Sequence, residues 1–156
     1  MRLPIRVAGI IIRNGEILLI HRVKNNSEYW VFPGGGLENT DLSNKEGLLR
    51  EIEEETCLEV KVKKLLYQHD YGTNKGLYFL CDYISGKEKL GESIEKERMK
   101  EGKDDLYEPK WYLISELKKM LIYPLEIRDL LIFDVENTFD HEPIVQKMET
   151  KDLREE

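Results

Sequence analysis

Four glutamates and an arginine occupy six consecutive positions in the stretch REIEEE, residues 50–55. On an α-helix each residue advances about 100° around the axis, so Glu51, Glu54 and Glu55 fall within an arc of roughly 100°, while Glu53 points to the opposite side. Three carboxylates this close repel one another unless a cation lies between them, and hard oxygen ligands suit Mg²⁺ or Mn²⁺. The spacing therefore predicts a divalent-metal site on one face of a helix.

The same stretch also has a simpler interpretation as a solvated helix surface. Glutamate is a good helix former and charge runs usually face water, so taken alone the stretch favours that interpretation by roughly three to one. Leu48, Leu49 and Ile52 occupy the adjoining sector and would anchor the helix to the core. Arg50 lies one turn before Glu54, at the i,i+4 spacing of an ion pair, and would orient that carboxylate.

The residues before this helix resemble a known family motif, and this resemblance favours a metal site over a solvated helix surface. WVFPGGGLE (30–38) ends a strand in a glycine-rich bend, and the acidic helix follows. FPGGGLE followed by REIEEETCL resembles the box of the Nudix family, whose pattern is G-x5-E-x7-R-E-U-x-E-E-x-G-U with U aliphatic. KWYLISEL (110–117) is similar to a tryptophan-containing strand and helix start near the C-terminal end of family members. The resemblance covers most of residues 5–135.

The chain departs from the box pattern at three points. The left half matches at Pro33, Gly34, Gly35 and Glu38, and the right half at Arg50, Glu51, Ile52, Glu54, Glu55 and Leu58. The two halves are one residue too far apart, and the extra residue must lie in the loop Asn39–Leu42, where insertions are tolerated. The first box glutamate is missing: Leu42 takes its place relative to the helix, and Asp41 is the nearest carboxylate. Cys57 replaces the final glycine, at a helix end where positive φ favours glycine.

The resemblance implies a hydrolase that cleaves the diphosphate linkage of a nucleoside diphosphate joined to a group X, with Mg²⁺ (or Mn²⁺) as cofactor. It assigns the metal to Glu51, Glu54 and Glu55, and catalysis to Glu54 or Glu51 as base, with Arg50 holding the carboxylates in place. The motif loop comprises Gly34, Gly35, Gly36, Glu38 and Asp41, its glycines letting the backbone pass close to the metal, or simply forming a tight turn.

Candidate substrate-binding residues outside the box have weaker support. Family members often add a ligand from a later loop, where Glu95 and Glu97 are acidic, although a solvated loop charge is the better explanation for each. Arg22 ends a strand and would meet a substrate phosphate or be a surface cation. Phe32 would stack on a base, but a buried core aromatic is the more common case. No two of the three histidines are spaced as a metal pair, so none is assigned a catalytic role.

The surrounding elements predict an α+β fold, which the resemblance specifies as a Nudix-like α/β/α sandwich with a mixed β-sheet between helices. Asn14-Gly15 predicts a hairpin, Ser43 with Glu46 predicts a capping box, and Ser115 predicts a further helix start. Predicted strands cover 7–12, 16–23, 29–32, 58–71, 76–84 and 109–114, and predicted helices cover 43–56 and 124–136. The polar segment 85–105 is predicted to be a mobile loop.

Length and charge limit the remaining possibilities. The 156 residues fit a single domain at 1–139 with a charged, flexible tail at 140–156. A net charge of −7 disfavours nucleic-acid polymers and anionic membranes as partners, which leaves a small-molecule nucleotide substrate. The two cysteines have no metal-binding spacing and the chain has no apolar run of about 18 residues, which together predict a cytoplasmic protein. We expect it to be a monomer or a homodimer.

Three functions remain open from the sequence. The leading one is a MutT-type hydrolase of nucleoside triphosphates or oxidised forms such as 8-oxo-dGTP, based on the small size and the absence of an added N-terminal domain. The second is an ADP-ribose or nucleotide-sugar pyrophosphatase. The third is a non-catalytic Nudix-fold nucleotide-binding or regulatory protein, motivated by the inserted residue, Leu42 and Cys57.

Overall fold

A single mixed sheet with helices on both faces organises the computed structural model, which describes residues 2–92, 94, 95, 97 and 106–148. The strands are β1 Arg2–Arg13, β2 Glu16–Lys24, β3 Ser27–Val31, β4 Gly34–Glu38, β5 Glu59–Tyr71, β6 Asn74–Ser85, β7 Leu106–Leu113, β8 Ile122–Tyr123 and β9 Ile144–Met148. The helices are α1 Asn44–Thr56 and α2 Leu125–Glu136, and Ile114–Lys119 form a 3-10 helix. No helix within these described ranges is long and apolar enough to cross a membrane.

The strand order is β8-β3-β2-β1-β6-β5-β9, with β4 also paired to β1 and β7 to β2. Strands β1 and β6 run parallel, from Ile5 opposite Lys75 to Ile12 opposite Asp82, whereas β1 and β2 form an antiparallel hairpin. Asn14 and Gly15 turn that hairpin with φ angles of 48° and 75°, which confirms the predicted turn.

Side chains of β1 alternate between two hydrophobic clusters, one on each face of the sheet. Val7 and Ile11 belong to the cluster that contains Leu48 and Ile52 of α1. Ala8 and Ile10 belong to the cluster that contains Ile127 and Leu131 of α2. The two helices therefore cover opposite faces, which confirms the predicted mixed sheet between helices.

The glycine-rich segment is a strand, and the predicted bend is wrong. Ala8 lies opposite Gly34, Val7 opposite Gly35 and Arg6 opposite Gly36 in an antiparallel pairing. Strand β1 is long enough to pair with β2 through its last residues and with β4 through its first. The glycines therefore pass along the sheet beneath α1.

Two predicted segments in the C-terminal half differ from the structure. The helix predicted from Ser115 is the short 3-10 helix that begins at Ile114. The predicted tail begins at Asp140, but Ile144–Met148 form β9, which pairs in parallel with β5 because that edge of the sheet is otherwise open. Residues 149–156 lie outside the described residues.

The segment predicted as a mobile loop, 85–105, begins as a continuation of the sheet and then contacts α1. The backbone N–H groups of Lys89 and Gly91 donate to the carbonyls of Thr56 and Glu54, at 3.0 and 3.1 Å. Residues 92, 94, 95 and 97 are helical, and 93, 96 and 98–105 lie outside the described residues. The described start of this segment thus closes the C-terminal end of the acidic helix.

Candidate active site

Both ends of α1 are fixed by local bonds, which sets the rotation of the helix and so the direction of its carboxylates. The Ser43 hydroxyl oxygen accepts a hydrogen bond from the Glu46 N–H at 3.1 Å, as the predicted cap requires. At the other end Cys57 adopts the left-handed conformation with φ 61°, and its N–H donates to the Glu53 carbonyl at 2.9 Å. Cysteine therefore occupies the conformation for which glycine is favoured.

Glu55 is the most enclosed carboxylate of the helix, with 6% of its surface exposed. The Gly34 N–H donates to its Oε1 at 2.9 Å, and the Tyr107 hydroxyl donates to its Oε2. Burial raises the pKa of the Glu55 carboxyl, and the Glu51 charge raises it further, against the lowering effects of the Arg6 charge and the two hydrogen bonds. The fold thus holds a carboxyl group where its ionised form is disfavoured.

Glu51 is also buried, and it lies directly against the backbone of β4. A Cβ atom built on Gly35 would lie 2.1 Å from Glu51 Oε2 and one on Gly34 would lie 2.0 Å from the Val7 carbonyl oxygen. A side chain at Gly35 would displace the Glu51 carboxyl group, and one at Gly34 would push β4 away from β1. The glycines are needed here for close approach.

Arg50 connects the acidic groups of the helix with the preceding loop. Its Nε and Nη2 donate to the two carboxylate oxygens of Asp41 at 3.0 and 2.9 Å, and its Nη1 donates to Glu51 Oε1 at 2.9 Å. Nη1 also lies 3.5 Å from Glu54 Oε2 and from Glu38 Oε2. The predicted pair with Glu54 is therefore present, but the shorter contacts are with Asp41 and Glu51.

Asp41 is held in a defined position by the loop. Its Oδ2 also accepts a hydrogen bond from the Glu38 N–H at 2.8 Å. The Arg50 bond, and then the Glu38 bond, lower the pKa of Asp41 to about 2. Leu42, the neighbouring residue, has 92% of its surface exposed and so projects away from the site. The loop thus turns the Asp41 carboxylate inward and Leu42 outward.

The other sequence-predicted residues lie in different environments. Arg22 is buried rather than a surface cation, and its guanidinium carbon lies 5.4 and 5.1 Å from the ring centres of Tyr29 and Tyr107. Phe32 is 1% exposed and packs edge-on against Tyr78 in the core, so its position does not support stacking on a base. Gly36 lies in β4 opposite Arg6.

Glu95 and Glu97 are exposed, as a solvated charge would be. Glu95 lines a cleft of about 580 Å³ between the segment after β6 and the start of β7, and Tyr107 also lines this cleft. Tyr107 is the residue that the sequence analysis missed. The predicted strand began at residue 109, which excluded it, although Tyr107 and Trp111 share the alternation of one strand face.

The carboxyl groups fit a hard divalent cation by their chemistry, since Glu51 and Glu55 place oxygen ligands in a poorly solvated position beside the glycine backbone of β4. Among the described residues, however, no three histidine, cysteine, aspartate or glutamate side chains already surround one metal position. In this structure Glu51 and Glu54 face Arg50 and Glu55 faces Gly34 and Tyr107. A cation would therefore share Glu51 and Glu54 with Arg50.

With this geometry in place, comparison with known proteins identifies the family. A model of the NUDIX domain matches residues 3–129. The chain belongs to the Nudix family. Its fold agrees with a solved NUDIX hydrolase from Nitrosomonas europaea, at a TM-score of 0.69 and 16% identity, over 92% of this chain and 78% of that one. The Nudix fold is thus a mixed sheet with helices in this chain as well.

Two curated relatives of this Nudix chain carry different names. An ADP-ribose pyrophosphatase of Methanocaldococcus jannaschii is 32% identical over 150 residues, which cover 91% of this chain and 70% of that protein. A MutT-like protein of Streptomyces ambofaciens is 35% identical over 88 residues, which cover 54% of this chain and 55% of that protein. The first similarity extends over much more of both sequences.

Proposed function

We propose that this chain is a divalent-metal-dependent hydrolase that cleaves the diphosphate linkage of a nucleoside diphosphate joined to a group X. The observation that carries the proposal is the position of Arg50 between Asp41 and Glu51, on the helix face that holds Glu54 and Glu55. This arrangement keeps the carboxylates of the box together although the first box glutamate is missing. Mg²⁺ or Mn²⁺ is the cofactor that such oxygen ligands fit.

Three box glutamates would hold the cation, and one of them would also act as the base. A cation held by these residues would screen the phosphate charges and make a water molecule easier to deprotonate. Glu51, Glu54 and Glu55 hold the cation. Glu54 is the better candidate for the base, because 39% of its side chain is exposed and its contact with Arg50 is long, whereas Glu51 is buried and bonded to Arg50.

Asp41 takes over the supporting task of the missing box glutamate. Its two oxygens occupy the Nε and Nη2 of Arg50, which leaves Nη1 directed at Glu51 and Glu54. The loop accommodates the inserted residue because the Leu42 side chain faces water. The departures that motivated a non-catalytic protein are therefore compatible with catalysis.

ADP-ribose or a related nucleoside diphosphate sugar is the substrate class we favour. The support is the Methanocaldococcus jannaschii relative, whose similarity extends over 91% of this chain. A nucleoside triphosphate or an oxidised nucleotide such as 8-oxo-dGTP is the second candidate. Its support is the MutT-like relative, which matches over 88 residues.

A substrate panel tests the proposal. The purified chain is incubated with Mg²⁺ or Mn²⁺ and with ADP-ribose, nucleotide sugars, nucleoside triphosphates or 8-oxo-dGTP, and the mononucleotide product is measured by chromatography. We expect AMP and ribose 5-phosphate from ADP-ribose, and loss of turnover when a chelator removes the metal. Turnover of triphosphates alone would favour the second candidate. No turnover of any compound would overturn the hydrolase, whether or not the chain binds Mn²⁺.

A further inference from the structure

Tyr107 contacts the acidic helix from a distant part of the chain. It lies near the start of β7, opposite Arg22 of β2, and its hydroxyl donates to Oε2 of Glu55. The residue stands outside the box at residues 34–58, and 52 positions separate the two partners. We infer that Tyr107 is a positioning residue for the metal site, which holds the Glu55 carboxyl group in the orientation that a cation needs. This inference rests on the proposed function for the identity of the cation.

The contacts of Glu55 show why a second donor matters there. Gly34 N–H reaches Oε1 and the Tyr107 hydroxyl reaches Oε2, so each bond occupies one of the two lone pairs of its oxygen. The two donors fix both oxygens of the carboxyl group, and a fixed orientation lowers the cost of ordering a ligand.

The ring of Tyr107 is held by packing that does not involve Glu55. It packs against the small cluster formed by Ile20, Tyr29 and Val31. The guanidinium carbon of Arg22 lies 5.1 Å from the ring centre, within the range of a cation–π contact. Because the ring is fixed on this side, its hydroxyl is presented to Glu55 without a large entropic cost.

Two other roles of Tyr107 lead to different measurements. Tyr107 also lines the cleft of about 580 Å³ beside Glu95, so a residue that only contacts substrate would affect KM and leave metal affinity unchanged. A residue that only packs would affect thermal stability. A positioning residue acts through Glu55 and therefore affects metal affinity in the absence of substrate.

The test is the substitution Tyr107→Phe, with Tyr123→Phe as the matched control, since Tyr123 packs against the same cluster. Mn²⁺ affinity is measured by electron paramagnetic resonance without substrate, kcat and KM with substrate, and the melting temperature in the presence of chelator. We expect Tyr107→Phe to weaken Mn²⁺ binding by about tenfold or more and to lower kcat more than it changes KM. Tyr123→Phe should leave Mn²⁺ affinity unchanged.

A double variant shows whether the effect passes through Glu55. If it does, adding Tyr107→Phe to Glu55→Gln weakens Mn²⁺ binding no further than Glu55→Gln alone. Unchanged Mn²⁺ affinity in Tyr107→Phe, or additive losses in the double variant, would overturn the inference, as would a wild-type chain that binds no Mn²⁺. A wild type that binds Mn²⁺ but turns over no nucleotide, while Tyr107→Phe still weakens Mn²⁺, would overturn the hydrolase and support the positioning role.

Discussion

Glu55 and Asp134 are buried carboxylates on helices that cover opposite faces of the sheet, and their partners differ. Asp134 of α2 is 3% exposed, and its Oδ2 receives both the Tyr67 hydroxyl at 2.5 Å and His141 Nε2 at 2.6 Å. Glu55 of α1 receives a backbone N–H and the Tyr107 hydroxyl. Each carboxylate thus has a tyrosine, but only Asp134 also has an imidazole bonded to it.

The difference separates a structural carboxylate from a candidate metal ligand. A hydrogen bond to the Glu142 carbonyl and then the bond to Asp134 raise the pKa of His141, so the α2 face places beside its carboxylate a group whose charged form is favoured. On the α1 face the neighbouring Glu51 and Glu54 are themselves acidic, and Arg50 is already bonded to Asp41. The charge of Arg6 lowers the pKa of Glu55 less than burial raises it. A cation from solution would therefore balance the acidic groups of the α1 face, whereas Asp134 on the α2 face already has His141 as its partner.

The largest expected effect is on activity, from Glu55→Gln. We expect the rate of hydrolysis to fall by at least about 100-fold, because the carboxyl group proposed to hold the cation is replaced by an amide that can still bond to Gly34 and Tyr107. Since burial raises the pKa of this carboxyl, the free energy of unfolding should stay the same or rise. Initial rates at saturating Mg²⁺ and urea unfolding measure the two quantities.

Glu53→Gln is the control for that variant, since it removes an equal charge from the exposed side of the same helix. Its rate should match that of the wild type. Equal loss of activity in both variants would mean that the overall charge of α1, and not Glu55, matters.

Asp134→Asn should give the opposite result. Removing the charge leaves the Tyr67 hydroxyl and His141 with one poorer acceptor, and we expect the free energy of unfolding to fall by about 2–3 kcal/mol. The specific activity of the folded protein should stay at the wild-type level. Urea unfolding and initial rates are again the measurements, and a loss of activity without a loss of stability would contradict the division between the two faces.

Asp41→Asn should lower the rate by about tenfold, because the two hydrogen bonds from Arg50 to Asp41, which direct Arg50 towards Glu51, become weaker. The matched control is Asp129→Asn, since Asp129 bonds Arg128 through similar contacts of 3.0 and 2.9 Å on the exposed side of α2. That control should leave the rate unchanged. The rates of the two variants are compared at saturating substrate. Equal rates would show that Asp41 does not replace the missing glutamate.

The smallest expected effect is a pH dependence of stability from His141. Because its folded pKa is raised above the usual value of 6.5, its contribution is fully present below about pH 6.5 and is lost as the pH rises through the folded pKa. Unfolding midpoints in urea, measured across this window, should fall with pH in the wild type more steeply than in His141→Gln. The difference between the two proteins isolates His141, and parallel curves would assign the pH dependence to other groups.

Local signals explain the parts of the fold that the sequence analysis predicted correctly. The turn at Asn14-Gly15 and the cap at Ser43 depend on neighbouring residues, and both are present. Strand β4 could not be predicted in this way, because three glycines have little intrinsic strand preference and the pairing depends on the length of β1. Strand β9 is decided by the open edge of β5, while its flanking charges are typical of a tail.

In the candidate site, too, local sequence determines some features and distant residues determine others. The helical period placed Glu51, Glu54 and Glu55 on one face without any knowledge of the loop, and Asp41 was identified as the nearest carboxylate. Its two bonds to Arg50 depend on how the loop passes Leu42, which spacing alone does not determine. The bond from Tyr107 joins residues 52 positions apart, and no local pattern announces it.

The position of β9 has a consequence for the growing chain on the ribosome. Synthesis proceeds from the N-terminus, so β5 emerges long before residues 144–148, which cover its outer edge. During that interval the N–H and C=O groups of this edge are open to pairing with other chains. Lys64 of β5 later bonds the carbonyls of Phe139 and His141 at 2.8 and 3.0 Å, which brings the following residues alongside. Protection of the nascent sheet against aggregation is therefore completed only when the stretch after α2 has been made.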